Sequence, residues 1–184
     1  MALILVKDVM IPLADYATVS QEATLYEAVQ ALEEAQRKFN QNRYQHRAVL
    51  VYDDRGKVVG KLSQLDVVRA LEPRYQDVGD FKGLNGYGIN ADYIRSMMKE
   101  LGLLRQPLDD ICRKAATVKV KSIMYTPSQG EYVDEGAALN EAMVQFLVGR
   151  HQSLLVVRDK EIVGILRLTD VFGKVCELIS SCEI

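Results

Sequence analysis

The feature that most constrains this chain is that much of it occurs twice. Val9-Met10 returns as Ile123-Met124, Thr18-Val19 as Tyr132-Val133, and Leu25-Tyr26-Glu27-Ala28 as Leu139-Asn140-Glu141-Ala142, each pair 114 positions apart. Further along, His46-Arg47-Ala48-Val49-Leu50-Val51 matches His151-Gln152-Ser153-Leu154-Leu155-Val156 at a separation of 105. Val59-Gly60-Lys61-Leu62 with Asp66 then matches Val163-Gly164-Ile165-Leu166 with Asp170 at 104. The fall from 114 to 105 places about nine extra residues in the first copy, around Arg37 to Tyr44, where the sequence turns polar. A repeat of this kind is a supersecondary unit that buries its apolar face against its neighbour.

Each copy reads as a short extended segment, an amphipathic helix, a two-strand hairpin and a second amphipathic helix. Leu25, Ala28, Val29 and Leu32 keep helical spacing, as do Leu139, Ala142, Met143 and Phe146, so these faces are expected in the core. Polar turns fall at Asp53-Asp54-Arg55-Gly56 and Arg158-Asp159-Lys160-Glu161. Closing helices are expected near Ser63 and Thr169, with Val67, Val68 and Leu71 on one apolar face and Val171, Phe172, Val175 and Ile179 on the other. The chain thus divides into a first repeat at 1–71, an insert at 72–117 and a second repeat at 118–184. Within the insert, Glu72 to Asn90 carries Pro73, Gly79, Gly83, Gly86 and Gly88 and reads as an irregular loop. Asn90 is placed to cap a helix with Ile94, Met97, Met98 and Leu101 in a stripe, ended by Gly102, and a second short helix is expected from Pro107. Gly83-Leu-Asn-Gly-Tyr-Gly88 does not read as a phosphate loop, which must follow a strand and open a helix.

A net charge of -2 gives no general field for nucleic-acid phosphates or an anionic membrane surface. The longest apolar runs, such as Met1 to Val6, are strand-sized, so no membrane insertion is expected. The N-terminus lacks the basic stretch and long apolar region of a secretory signal, which predicts a cytoplasmic protein. Cys112, Cys176 and Cys182 are odd in number and scattered, and read as two small packed hydrophobes and a thiol in a frayed tail. Paired carboxylates, a nucleophile with its base and a metal-ligand cluster are all missing from the sequence pattern, so the chain reads as no enzyme and as needing no cofactor.

The Val-x-x-Ile-Met-x-x-Pro opening of the second copy, and the Val-Gly pair followed by an aspartate in both, resemble the CBS (cystathionine β-synthase) domain. The resemblance covers nearly everything except the insert. It implies an α/β (α+β) fold of two β-α-β-β-α CBS repeats packed pseudo-twofold through their sheets, with a helical insert between them and a cleft at each related position. It further implies a homodimer of such modules, and an adenine nucleotide (AMP, ADP, ATP or an S-adenosyl compound) as regulatory ligand. The family's Gly-x-x-Ser/Thr-x-x-Asp motif sits at the second helix. There a carboxylate can accept hydrogen bonds from both ribose hydroxyls, while free helix amides and the positive end of the helix favour phosphate.

The first copy fits as Gly60-Lys-Leu-Ser63-Gln-Leu-Asp66. The second reads Gly164-Ile-Leu-Arg167-Leu-Thr-Asp170, with Arg167 at the Ser/Thr position, where its guanidinium could supply a phosphate contact. Ser63 and Asp66 read equally as a capping box with no ligand involved. Asp170 persists although Arg167 cannot cap, which points to a task for the acid beyond the box. By the same resemblance Thr18 and Tyr132, ahead of the first helix, would line the clefts, with plain loop structure as the other reading. His46 and His151, beside Arg47 and Arg150, read first as solvated loop residues and second as phosphate contacts. Ser153 and Thr169 complete the candidate ligand-binding residues. The implied function is a sensor that signals to an unidentified regulated protein, with the Met-bearing insert either responding to ligand or covering one edge. The reading from another class is a ligand-free assembly module that dimerises and docks.

Overall fold

The computed structural model describes residues 3–38, 45–71, 96, 99, 100 and 110–182. The first repeat comprises β1 (Ile11–Pro12), β2 (Thr18–Ser20), α1 (Leu25–Lys38), β3 (Ala48–Tyr52), β4 (Val58–Ser63) and α2 (Gln64–Leu71). After α3 (Ile111–Thr117), the second comprises β5 (Tyr132–Asp134), α4 (Leu139–Gly149), β6 (Ser153–Arg158), β7 (Glu161–Arg167) and α5 (Leu168–Ser180). The order expected from the repeat is present in both copies. The extra polar residues at 39–44, the insert helix expected at 90–102, its glycine string and the start at Pro107 lie outside the described residues.

In each repeat the first helix carries the chain between two parallel strands, and a hairpin follows. Thus β2 runs parallel to β3 and β5 to β6, while β3–β4 and β6–β7 are antiparallel. The hairpin turns account for the last one-residue step in the repeat, from 105 to 104. The second uses two residues with positive φ, Asp159 at 49° and Lys160 at 69°, the twist that suits a tight hairpin. The first is one residue longer and ends on Gly56 at φ 75°, with Asp53 Oδ1 accepting from the amides of Arg55 and Lys57, each at 2.9 Å.

The two repeats exchange their opening segments. β1 of the first repeat joins the second sheet through Ile11↔Ile165, and Tyr125, 114 positions after Ile11, bridges Lys61 in the first sheet. The bridges Leu5↔Ala138 and Thr24↔Lys119 obey the same pseudo-twofold. This crossing explains the glycine of the Val-Gly pair. A Cβ on Gly164 would stand 2.5 Å from the Ile11 carbonyl oxygen, and one on Gly60 2.7 Å from Met124 Sδ. Only hydrogen leaves room for the incoming strand.

The cores follow the exchange. Leu25, Ala28, Val49, Val51 and Leu62 close the first core together with Val120 from the other repeat's opening segment and Ala115 of α3. Leu139, Ala142, Phe146, Leu154 and Val156 close the second with Val6 and Val9. Between the sheets Ile11, Tyr16, Leu50, Leu155 and Ile165 form a third, so the repeats do pack through their sheets. Each such buried aliphatic or aromatic residue contributes about 1.5–3 kcal/mol, which fixes the two repeats against one another. α3 belongs with the first repeat, since its Lys114 Nζ donates to the Leu71 carbonyl at the end of α2 (3.0 Å), where a cation also suits the helix dipole.

Two expectations need correction. Met143, expected in the core by its spacing, is exposed, as are Val144, Leu147 and Val148 on the same helix α4 and Val68, Phe172 and Ile179 on the apolar faces of the closing helices. Helical spacing defines which side of a helix is apolar, and among the described residues these side chains are left uncovered. All three cysteines are free and exposed, so Cys112 and Cys176 are surface thiols and not packed hydrophobes.

Candidate ligand-binding cleft

A cleft of about 460 Å³ lies where the two repeats meet. It is lined by the start of α2 (Ser63, Asp66, Arg69), the start of α5 (Arg167, Thr169) and the loops that enter β3 and β6. This volume lies within the usual range for small-molecule sites. The pseudo-twofold divides it into equivalent halves, and their chemistry differs.

In the half at α2, Ser63 and Asp66 form the capping box. Asp66 Oδ2 accepts from the Ser63 amide (2.9 Å) and hydroxyl (2.6 Å), and the Asp66 amide donates back to Ser63 Oγ (3.3 Å). The other oxygen, Oδ1, has Arg69 Nη1 at 3.8 Å. The Asp66 side chain remains 18% exposed. Deeper in this half, buried Glu131 accepts from Lys61 Nζ (2.5 Å), the Tyr125 hydroxyl (2.5 Å), and the Ser128 amide (3.0 Å). Burial works to raise the Glu131 pKa, but these donors and the Lys61 charge outweigh it and hold the carboxyl at about 2. The Tyr125 phenol is shifted upward, chiefly by its hydrogen bond to Glu131. Arg47 and Arg150 stand exposed on the cleft lining, which gives this mouth a positive rim.

In the half at α5 the chain's own side chains occupy the equivalent space. Arg167 makes a two-pronged ion pair with Asp170, Nε to Oδ2 at 2.5 Å and Nη2 to Oδ1 at 2.6 Å, with both side chains nearly inaccessible. Its Nη1 donates to the Gln45 carbonyl (3.1 Å) and lies 3.4 Å from His46 Nδ1. His46 is fully buried, edge-on to Tyr16 with ring centroids 4.4 Å apart. Burial and then the Arg167 charge lower the imidazole pKa to about 4, against a smaller upward pull from Asp170. Burial raises the Tyr16 phenol to about 12, Arg167 pulling down and Asp170 pushing up. His46 is therefore neutral at pH 7, and Asp170 ties down the arginine.

Of the residues singled out from sequence, Arg47, Ser63, Asp66, Ser153, Arg167 and Thr169 line the cleft. Thr18 and Tyr132, expected to line the clefts, are not among the lining residues: both are strand residues, paired with Leu50 and Leu155, and Tyr132 packs against the core between the sheets, so the plain-loop reading is corrected as well. His46 is buried and not solvated, because Arg167, 121 positions away, closes over it. His151 stays partly exposed on the cleft lining. The guanidinium of Arg167, read as a phosphate contact, is turned onto Asp170. Sequence reasoning passed over Lys61, Tyr125 and Glu131, although the repeat carried the signal: they stand where the other copy has Ile165, Ile11 and Ala17. Three polar residues replacing three apolar ones at matched positions mark the half whose inner wall lines the cleft.

Family models for the CBS domain match residues 6–73 and 120–177. The chain belongs to the CBS-domain family, as a tandem pair. No curated protein matches it. Among solved structures it is similar to a CBS-domain-containing protein of unknown function from Kribbella flavida, at 20% identity and TM-score 0.61, covering 98% of this chain and 100% of that one. It is also similar to the CBS domain of a membrane protein from Sphaerobacter thermophilus, at 17% identity and TM-score 0.61, over 93% of this chain and 87% of that one. A third is CBSX2 in complex with AMP, at 19% identity and TM-score 0.57, over 95% and 98%. Among the described residues no helix is long and apolar enough to cross a membrane.

Proposed function

We propose that this CBS pair is a regulatory module that takes an adenine nucleotide in the α2 half of its cleft and passes the occupancy to a partner protein. The observation that carries the reading is the start of α2. There a partly exposed Asp66 carboxylate, the positive end of the helix and the cations Arg47, Arg69 and Arg150 line one cavity, a set suited to a ribose and its phosphate. The complex of CBSX2 with AMP supports the same ligand class. Exposed apolar side chains on α4 and α5, among them Leu147, Val148 and Phe172, support a second copy of the chain as the covering surface. They equally suit the assembly reading, in which the clefts stay empty.

Titration calorimetry with AMP, ADP, ATP and S-adenosylmethionine separates the two. The sensor reading expects saturable binding of at least one of them, weakened at least tenfold by Asp66→Asn, because one acceptor pair to the ribose is lost. Absence of heat and of any thermal shift, on folded protein, would leave the assembly reading in its place.

A further inference from the structure

We infer that Arg167 is a built-in occupant of the second half of the cleft, so that each chain binds a single nucleotide, beside Asp66. This rests on the nucleotide reading given above and specifies its stoichiometry. The two halves are related by the repeat, and a symmetric module would offer Asp66 and Asp170 alike. In the α5 half each oxygen of Asp170 already accepts from the Arg167 guanidinium, at 2.5 and 2.6 Å. The carboxylate is only 4% exposed and does not line the cleft, so its remaining lone pairs are out of reach of a pair of ribose hydroxyls. A ligand entering there would have to break a two-pronged arginine–carboxylate pair in a buried setting and leave the guanidinium without its carboxylate.

The cavity itself records the difference. Its wall includes Lys61, Tyr125 and Glu131 on one side, but not their counterparts Ile165, Ile11 and Ala17 on the other, which are buried. Arg167 is also held from the first repeat, by the Gln45 carbonyl and against His46, so it is fixed from both sides of the pseudo-twofold. Where the other copy has Ser63, a short side chain that satisfies Asp66 from the edge, this copy fills the space with a guanidinium.

Equilibrium dialysis with AMP and with ATP counts the sites on wild type, Asp66→Asn, Arg167→Ser, and Arg167→Ser with Asp170→Asn. Arg167→Ser rebuilds in the second copy the serine-aspartate pair seen in the first. The expected result is one equivalent on wild type, one bound at least tenfold more weakly on Asp66→Asn, two on Arg167→Ser, and one again on the double variant. Two equivalents on wild type, or one held by Asp66→Asn with wild-type affinity, would overturn the inference without need of any Arg167 variant. So would a single equivalent on Arg167→Ser with an intact melting transition. Failure of both wild type and Arg167→Ser to bind either probe would instead remove the nucleotide reading, and this inference with it.

Discussion

The two halves of the cleft descend from the same local sequence pattern and have been put to opposite uses. At α2 a serine and an aspartate satisfy each other and leave the space in front of them open. At α5 an arginine and an aspartate satisfy each other by filling it. With Arg in place of Ser at this position of the motif, the aspartate side chain goes from 18% exposed on the cleft wall to 4% exposed in the interior. The helix keeps its acid near the N-terminus in both cases, where the dipole favours it. The motif thus keeps its aspartate in both copies while the residue three positions earlier differs in length and charge and pairs with it differently.

The comparison breaks most sharply at the aspartates. Asp170→Ala leaves a buried guanidinium without its carboxylate and is expected to cost about 3–5 kcal/mol. Asp66→Ala removes a cap and is expected to cost about 1 kcal/mol. Denaturant unfolding of the two variants measures the gap, and equal losses would mean that the two acids do the same work.

The halves also titrate in different windows. His46 has its pKa lowered from 6.5 to about 4, so the unfolded chain takes up the proton first and stability falls as pH drops from about 6.5 to about 4. Glu131 is lowered from 4.5 to about 2, so its contribution is present above about 4.5 and is lost as pH falls toward 2. Each window is on the order of 3 kcal/mol at most, from the free energy of one pKa unit. Unfolding free energy followed from pH 7.5 to pH 2.5 is expected to have a shallower upper slope in His46→Gln and a shallower lower slope in Glu131→Gln, the latter shared with Glu27, Glu34 and Glu135, whose carboxyls are also lowered. An unchanged profile in either variant would assign that slope to other groups.

A smaller contrast separates the glycines. Gly164→Ala would drive a Cβ against the Ile11 carbonyl, which is backbone, whereas Gly60→Ala meets the flexible Met124 thioether most closely. Overpacking of this kind costs about 1–3 kcal/mol, and the melting temperature is expected to fall further for Gly164→Ala. The reverse order would mean that the crossing strand yields more easily than the methionine.

Much of this architecture is legible in the amino-acid sequence, because the repeat supplies two readings of every element. Helices over Leu25 and Leu139, the hairpins and the closing helices all follow from spacing that occurs twice. What stays hidden are contacts between copies. The burial of His46 depends on Arg167, far along the chain, and periodicity carries no record of it. Arg167 itself reads as a ligand-facing cation until Asp170 and His46 are placed around it. By contrast the Lys61, Tyr125 and Glu131 cluster is open to sequence reasoning: laying the copies side by side sets it against Ile165, Ile11 and Ala17. The exposed faces of α2, α4 and α5 have the spacing of core faces, since a helix pattern says which side is apolar and not what lies against it.

A crystal structure of the protein grown with AMP or ATP tests the asymmetry most directly. The account predicts one nucleotide per chain, its ribose at Asp66 and its phosphate toward Arg47, Arg69 or Arg150, with the Arg167–Asp170 pair intact. A nucleotide at Asp170 with Arg167 displaced, or an empty cleft at saturating ligand, would contradict it.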